Sequence, residues 1–280
     1  MPLMFENHTI EASGLSFRYQ QAGQGKDLLL VHGLGASLEY WERVMPELAK
    51  HYRVTALDVP GFGLSSKPDV HYELPFFTKA LTTFCEAMNF KSFYLAGHSL
   101  GGALSLDLAA TYPEKVEKLC LIDNAGFSRQ VTWAFRVMSF PFIAKHLIYK
   151  TKLAYEKVLK LSVYNKEAIT PDFVDRLYEM AKSPEHRRTV LYILANHANL
   201  RGMKMATLKP LWEKFHALEQ TPVKIIWGDR DPLLNVSQIK AAKKHLKQAD
   251  VSIIHDCGHI PMLEKPRECL KLMLEFLKFG

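Results

Sequence analysis

FYLAGHSLGG, residues 93–102, changes character halfway along. An apolar run of strand character stops at small residues around a serine. From Leu100 to Tyr112 apolar residues then recur at helical spacing until Pro113 ends them. Gly97-His98-Ser99-Leu100-Gly101 therefore sits at a strand-to-helix junction. A serine in so sharp a turn takes strained backbone angles, and small residues two before and two after it let strand and helix approach. The turn lifts the Ser99 hydroxyl off the backbone and aims the free amides of the helix start at whatever binds there.

Outward from this junction, strands and helices alternate. TIEASGLSFRYQQAG (9–23) reads as two short strands about a Ser13-Gly14 turn, and DLLLVHG (27–33) as a strand covered on both faces. Ser37 is a plausible N-cap for a helix through Tyr40, Trp41, Val44, Met45 and Leu48 to His51. YRVTALDVPGFG (52–63) is a strand, Phe77 to Met88 a helix, and VEKLCLIDNAG (116–126) a strand. After residue 209 the rhythm resumes with VKIIWG (223–228), a helix over 236–246, VSIIHDCGH (251–259) and a closing helix over 266–279. This alternation predicts an α/β fold, a mostly parallel central sheet flanked by helices.

Residues 127–209 lack buried-strand runs and read as several helices: VTWAFRVMSFPFIAKHLIYK (131–150), AYEKVLKLSVY (154–164), TPDFVDRLYEMAK (170–182) and HRRTVLYILANHANL (186–200). The segment is too long for an ordinary loop, so we expect a helical lid inserted between a core of residues 1–126 and 210–280. It also carries the positive charge. Residues 127–209 hold 15 Lys and Arg against 6 Asp and Glu, and the remainder 21 against 23, within a net charge of +7.

There is no basic run, finger spacing or RNA-binding aromatic signature, which argues against nucleic acid as a partner. The four cysteines fit neither a zinc cluster nor a disulfide framework. No stretch has the roughly 20 apolar residues of a spanning helix, and MPLMFENHTIEASG lacks the form of a signal peptide, so a cytoplasmic location is the expectation.

A serine hydroxyl needs a base in contact to act as a nucleophile, normally a histidine held by a carboxylate. His259 leaves a late strand in DCGHIPMLEKP, where a loop can carry it over the sheet edge. His255, four residues earlier, reads as a strand residue. For the carboxylate, IIWGDRDPLL offers Asp229 and Asp231, of which Asp231 lies further out on the loop. Asp123, at the exit of the strand after Ser99, is a third option. An oxyanion would be held by the Leu100 amide and by the Leu34 amide of VHGLGAS, whose Gly33 and Gly35 free the backbone, with His32 a structural residue of that loop.

Together HGLG, DVPGFGLSSKP, GHSLGG, GDRDPL and GHIPMLEKP resemble the α/β-hydrolase superfamily, in its group of lidded carboxylesterases, lipases and carbon–carbon bond hydrolases. The resemblance implies the nucleophile, acid and base at Ser99, Asp231 and His259, and oxyanion amides at Leu34 and Leu100. It implies that Asp58 and Ser65 hold a loop. The serine departs from the aspartate nucleophile of haloalkane dehalogenases and many epoxide hydrolases. His98 departs from the asparagine common in carbon–carbon hydrolases, although Arg187, Arg188 or Arg201 could serve a substrate carboxylate as a cap arginine does there.

The reading is thus a serine hydrolase of carboxylic esters, a carboxylesterase or monoacylglycerol-type lipase, working through an acyl-enzyme and requiring no metal or organic cofactor. Trp133, Phe135, Met138, Phe140 and Met203 are its candidate contacts for an apolar acyl or aryl group of a small ester or lipid. The alternatives are a carbon–carbon hydrolase of ring-fission dienoates, a perhydrolase or thioesterase, and a ligand-binding signalling protein with little turnover. The basic, apolar lid suits peripheral contact with a membrane, a solvated basic face being the other reading.

Overall fold

Unbroken burial of the central strands, against the half-buried alternation of the first one, sets the architecture. The computed structural model describes residues 5–147 and 151–278. Residues 1–4, 148–150 of the expected helix over 131–150, and Phe279 lie outside that range.

The first strands are β1 (Asn7–Ala12) and β2 (Leu15–Ala22), an antiparallel hairpin whose turn residues Ser13 and Gly14 both take positive φ. There follow β3 (Asp27–Val31), β4 (Arg53–Leu57), β5 (Phe93–His98) and β6 (Val116–Ile122). A small pair, β7 (Ala198–Asn199) and β8 (Gly202–Met203), stands apart, and β9 (Val223–Gly228) and β10 (Asp250–Ile254) complete the set. The main sheet runs β1-β2-β4-β3-β5-β6-β9-β10, parallel from β4 onward. Continuous burial of β3, β5 and β9 reflects helices on both faces.

The strand order places the site. From β3 the chain goes first to β4 on one side and then returns to β5 on the other, so a crevice opens beyond the carboxyl ends of β3 and β5. Leu34 follows β3 and Ser99 follows β5. The exits of β6, β9 and β10 supply Asp123, Asp231 and His259 along the same edge.

The core helices are α1 (Met45–Leu48), α2 (Leu74–Ala87) and α3 (Leu100–Thr111). Where one helix over 38–51 was expected, there is a 3₁₀ turn at Leu38–Trp41 and then the single turn α1. Pro46 explains the break, since it lacks an N–H and belongs at a helix start.

Between β6 and β9 come α4 (Trp133–Met138), α5 (Pro141–Leu147), α6 (Lys152–Leu161), α7 (Pro171–Ala181), α8 (Pro184–His197) and α9 (Met205–Lys214). The run expected as one helix from 131 is two, split before Pro141, where Ser139 Oγ caps back onto the Arg136 carbonyl at 2.6 Å. Thr170 caps α7 as its position predicts, accepting from the Phe173 amide at 3.3 Å. The expected boundary at residue 209 falls inside α9. The last helices are α10 (Ile239–His245), α11 (Pro261–Glu264) and α12 (Pro266–Lys278). No helix among the described residues is long and apolar enough to cross a membrane.

Candidate active site

At Ser99 the chain passes from β5 into α3 with φ 55° and ψ −119°, a conformation that costs a non-glycine residue on the order of 1–3 kcal/mol. The neighbours explain why it persists. A Cβ at Gly97 would strike the Gly101 carbonyl and Ser105 Oγ, and one at Gly101 would strike the Val31 and His32 carbonyls. Only glycine at both positions lets the three segments meet. The Ser99 amide donates to the Ile122 carbonyl at 3.0 Å and fixes the turn to β6.

Ser99 Oγ lies 2.9 Å from His259 Nε2, and His259 Nδ1 lies 2.7 Å from Asp231 Oδ2. The other oxygen, Asp231 Oδ1, accepts from the amides of Leu233 and Leu234 at 2.7 and 2.9 Å, so this buried carboxylate is held as an acceptor towards the ring. Such a chain of bonds orients the imidazole with Nδ1–H towards Asp231 and its Nε2 lone pair towards the hydroxyl.

Asp229 has a different place. It pairs with the exposed His255 at 3.1 Å, its amide bonds the Ile254 carbonyl, and neither residue meets His259. His255 is just past β10.

Asp123 sits closer than the sequence order implies. Its ligand atom falls within 4.8 Å of those of Asp231 and His259, the one such group of metal-capable side chains among the described residues. Oδ1 accepts from the Gly228 amide at 3.0 Å, while Oδ2 meets no donor. Complete burial first, and the Asp231 carboxylate second, hold the Asp123 carboxyl well above the ordinary range. The two carboxyls share one buried space, where charge on both at once is disfavoured.

The Leu34 and Leu100 amides flank the serine, and neither donates a hydrogen bond among the described residues. His32 shapes the Leu34 loop: Nδ1–H donates to the Gly33 carbonyl at 2.8 Å and Nε2 accepts from the Val59 amide at 3.0 Å. Asp58 accepts from the Leu38 and Leu64 amides and from Arg18, and Ser65 Oγ donates to the Asp58 carbonyl. Both residues are thus engaged in holding the backbone.

Two positioning contacts were not foreseen. His98 Nε2 donates to the His259 carbonyl at 2.7 Å, and burial, then the neighbouring His259, push its pKa well below the usual value, so it is neutral. Glu264 is buried and collects four amides: Oε2 accepts from Tyr164 (2.8 Å), Asn165 (2.9 Å) and Gly258 (3.1 Å), and Oε1 from Ile260 (3.3 Å). The His259 amide meanwhile donates to the Ser162 carbonyl at 2.9 Å. One carboxylate therefore ties the loop bearing His259 to the chain just after α6. The acid in GHIPMLEKP was the available signal, but two of its four partners are 99 and 100 residues away.

An apolar cavity opens beside Ser99, Leu34, Leu100 and His259, about 80 Å³ of space for water-sized molecules. That is room for several waters or a slender alkyl chain. Of the aromatic and methionine candidates, Phe135 and Met203 line it. Trp133, Met138 and Phe140 do not: on a helix Trp133 lies about 200° around from Phe135, and it is 65% exposed. Leu74, Phe77, Ile193, Leu208 and Leu211 complete walls that the sequence reading did not assign. Arg187 and Arg188 border a separate open groove, and Arg201 is exposed. Among the described residues no Lys or Arg side chain lines the cavity.

This fold and edge geometry define a class. Residues 27–266 match the family described as alpha/beta hydrolase fold, and the chain belongs to that family. It is 29% identical over 276 residues to the 2-hydroxy-6-oxo-6-(2'-aminophenyl)hexa-2,4-dienoic acid hydrolase of Metapseudomonas resinovorans, covering 96% of this chain and 89% of that one. Lipase 1 of Psychrobacter immobilis is 29% identical over 264 residues, covering 90% and 78%. The crystal structure of a bacterial membrane phospholipase A superposes with a TM-score of 0.82 at 30% identity, covering 98% and 86%.

Proposed function

We propose that the chain is a serine hydrolase of carboxylic esters with an apolar acyl group, in the manner of a carboxylesterase or small-substrate lipase. The observation that carries this reading is the cavity. It is walled mostly by apolar side chains, ends at the Ser99–His259 pair and, among the described residues, presents no Lys or Arg to an anionic substrate.

The mechanism follows from the geometry. His259 Nε2 takes the Ser99 proton as Oγ attacks the ester carbonyl, and the resulting imidazolium is held by Asp231. The developing oxyanion lies where the Leu34 and Leu100 amides converge, with α3 adding the positive end of its dipole. Collapse of the tetrahedral intermediate breaks the bond to the alkoxy group, which leaves with the proton from His259 and puts the acyl group on Ser99. Water, deprotonated by His259, then repeats the sequence and releases the acid. Asp123 lies beside Asp231 and takes no proton in this cycle. The residues of 127–209 act as a lid in this reading, since Phe135, Ile193 and Met203 roof the cavity.

Carbon–carbon cleavage of a dienoate is the competing reading, favoured by the Metapseudomonas relative. It would require recognition of a free carboxylate within walls that, among the described residues, hold no Lys or Arg. Hydrolysis of p-nitrophenyl esters from acetate to palmitate, with Ser99→Ala in parallel, tests the proposal. We expect activity that peaks at an intermediate chain length and vanishes in the variant. Turnover of a ring-fission dienoate faster than of every ester would overturn it in favour of carbon–carbon cleavage.

A further inference from the structure

The insertion concentrates two things that globular surfaces ordinarily keep apart. All the large apolar side chains standing exposed among the described residues, except Leu64 and Ile253, lie between Trp133 and Met205. The same segment carries the chain's excess of positive charge, 15 basic against 6 acidic residues over 127–209, while the rest of the chain is slightly acidic.

On the α4–α5–α8 side the two features adjoin. Trp133 is 65% exposed, Phe140 43% and Phe142 76%. Beside them an open groove between α5 and α8 is bordered by Lys145, Arg187 and Arg188 and, among the described residues, by no acidic side chain. Arg188 has Asp69 at 3.5 Å, and Glu185 at the start of α8 is the acid nearest in sequence. The balance there stays basic. Val131 and Phe135, at the root of the same helical pair, line the apolar cavity.

Aromatic side chains projecting beside cations match the boundary of an anionic bilayer, where rings enter the acyl region and Lys and Arg remain among the headgroups. We propose that the α4–α5–α8 face is a docking surface for an anionic lipid bilayer, with Trp133, Phe140 and Phe142 as its apolar anchors and Lys145, Arg187 and Arg188 as its headgroup contacts. The contact is peripheral and reversible, and it sets the mouth of the cavity against the layer from which an apolar substrate would come.

The test is co-sedimentation of the full chain, carrying Ser99→Ala so that no turnover intervenes, with phosphatidylcholine vesicles alone and with about a third phosphatidylglycerol. Binding read this way is independent of whether the chain hydrolyses esters. We expect partitioning to the anionic vesicles only, released by raised salt. Each basic residue removed should lower it roughly five-fold. Lys145→Glu with Arg187→Glu, and separately Phe142→Ser, should each abolish most of it, while in the Ser99 background the same changes leave hydrolysis of a short water-soluble ester and the thermal midpoint unaltered.

No binding to either vesicle at low salt overturns the proposal. Binding that survives both surface variants overturns it as well, since another face would then be responsible. Self-association through these side chains, with vesicles ignored, would assign the face to a second copy of the chain and equally refute it.

Discussion

Replacing Glu264 with glutamine tests whether the insertion helps hold His259, the proposed base, in place. The carboxylate accepts amides from both sides of His259, at Gly258 and Ile260, and from Tyr164 and Asn165 beyond α6. Glutamine keeps the shape but removes the charge, and each of the three bonds to Oε2 then falls from a charged to a neutral one, a loss of about 1 kcal/mol apiece. The amide nitrogen in place of Oε1 faces the Ile260 N–H and cannot accept. A total of about 3 kcal/mol follows, which in a chain of this size lowers the thermal midpoint by roughly 6–12 °C. Freed of its clamp, the His259 loop need shift by only about 1 Å to cost on the order of 100-fold in rate. Because Glu264 does not line the cavity, KM should stay within about two-fold while kcat falls. The assay is steady-state kinetics on a soluble ester at a temperature where circular dichroism shows the variant folded. A variant that loses the expected stability yet keeps its kcat would refute the argument, because the carboxylate would then stabilise the loop without positioning the ring.

Further predictions follow from the acids and thiols. Asp231→Asn should lower kcat by about 10⁴-fold, whereas Asp123→Asn should cost less than about ten-fold, since asparagine keeps a donor next to Asp231; the reverse order would move the acid to Asp123. Asp123 also shapes stability against pH. Its raised pKa means the folded chain binds a proton that the unfolded chain has lost, so this contribution, complete below the unfolded pKa, fades as pH rises towards the folded one. Relative to wild type, Asp123→Asn should therefore gain stability between about pH 5 and about pH 8 in urea unfolding, and an unchanged difference would show the carboxyl to be ionised. Burial pushes the Cys85 and Cys120 thiols up to about 12 and also raises those of Cys257 and Cys269. Iodoacetamide at about pH 8 should leave the native protein unlabelled and modify all four cysteines after denaturation.

How much of this was legible in sequence depended on whether a feature was local. The strand-turn-helix around Ser99 could be read because the small residues needed at 97 and 101 sit within the motif, and the parallel sheet because buried strands show as unbroken apolar runs. Helix limits were less legible. Pro46 and Pro141 break runs whose apolar spacing continues past them, and β7 and β8 are too short to leave a periodic trace. The cavity wall was legible only in part, since choosing Phe135 over Trp133 requires the rotation of α4 relative to the sheet, and nothing in their shared apolar character supplies it.

Contacts between side chains and distant backbone escaped altogether, for a physical reason. Glu264 and His98 act on amides and carbonyls, groups that every residue carries, so their partners leave no mark on residue type. That anonymity also bears on the insertion. The stretch just after α6, residues 162–165, contributes no side chain to the Ser99–His259–Asp231 bonds, yet the Ser162 carbonyl and the Tyr164 and Asn165 amides meet the His259 loop directly or through Glu264. The sequence of this part of the insertion can therefore drift widely while its backbone path stays constrained, which is why a segment without diagnostic residues can still be integral to the site.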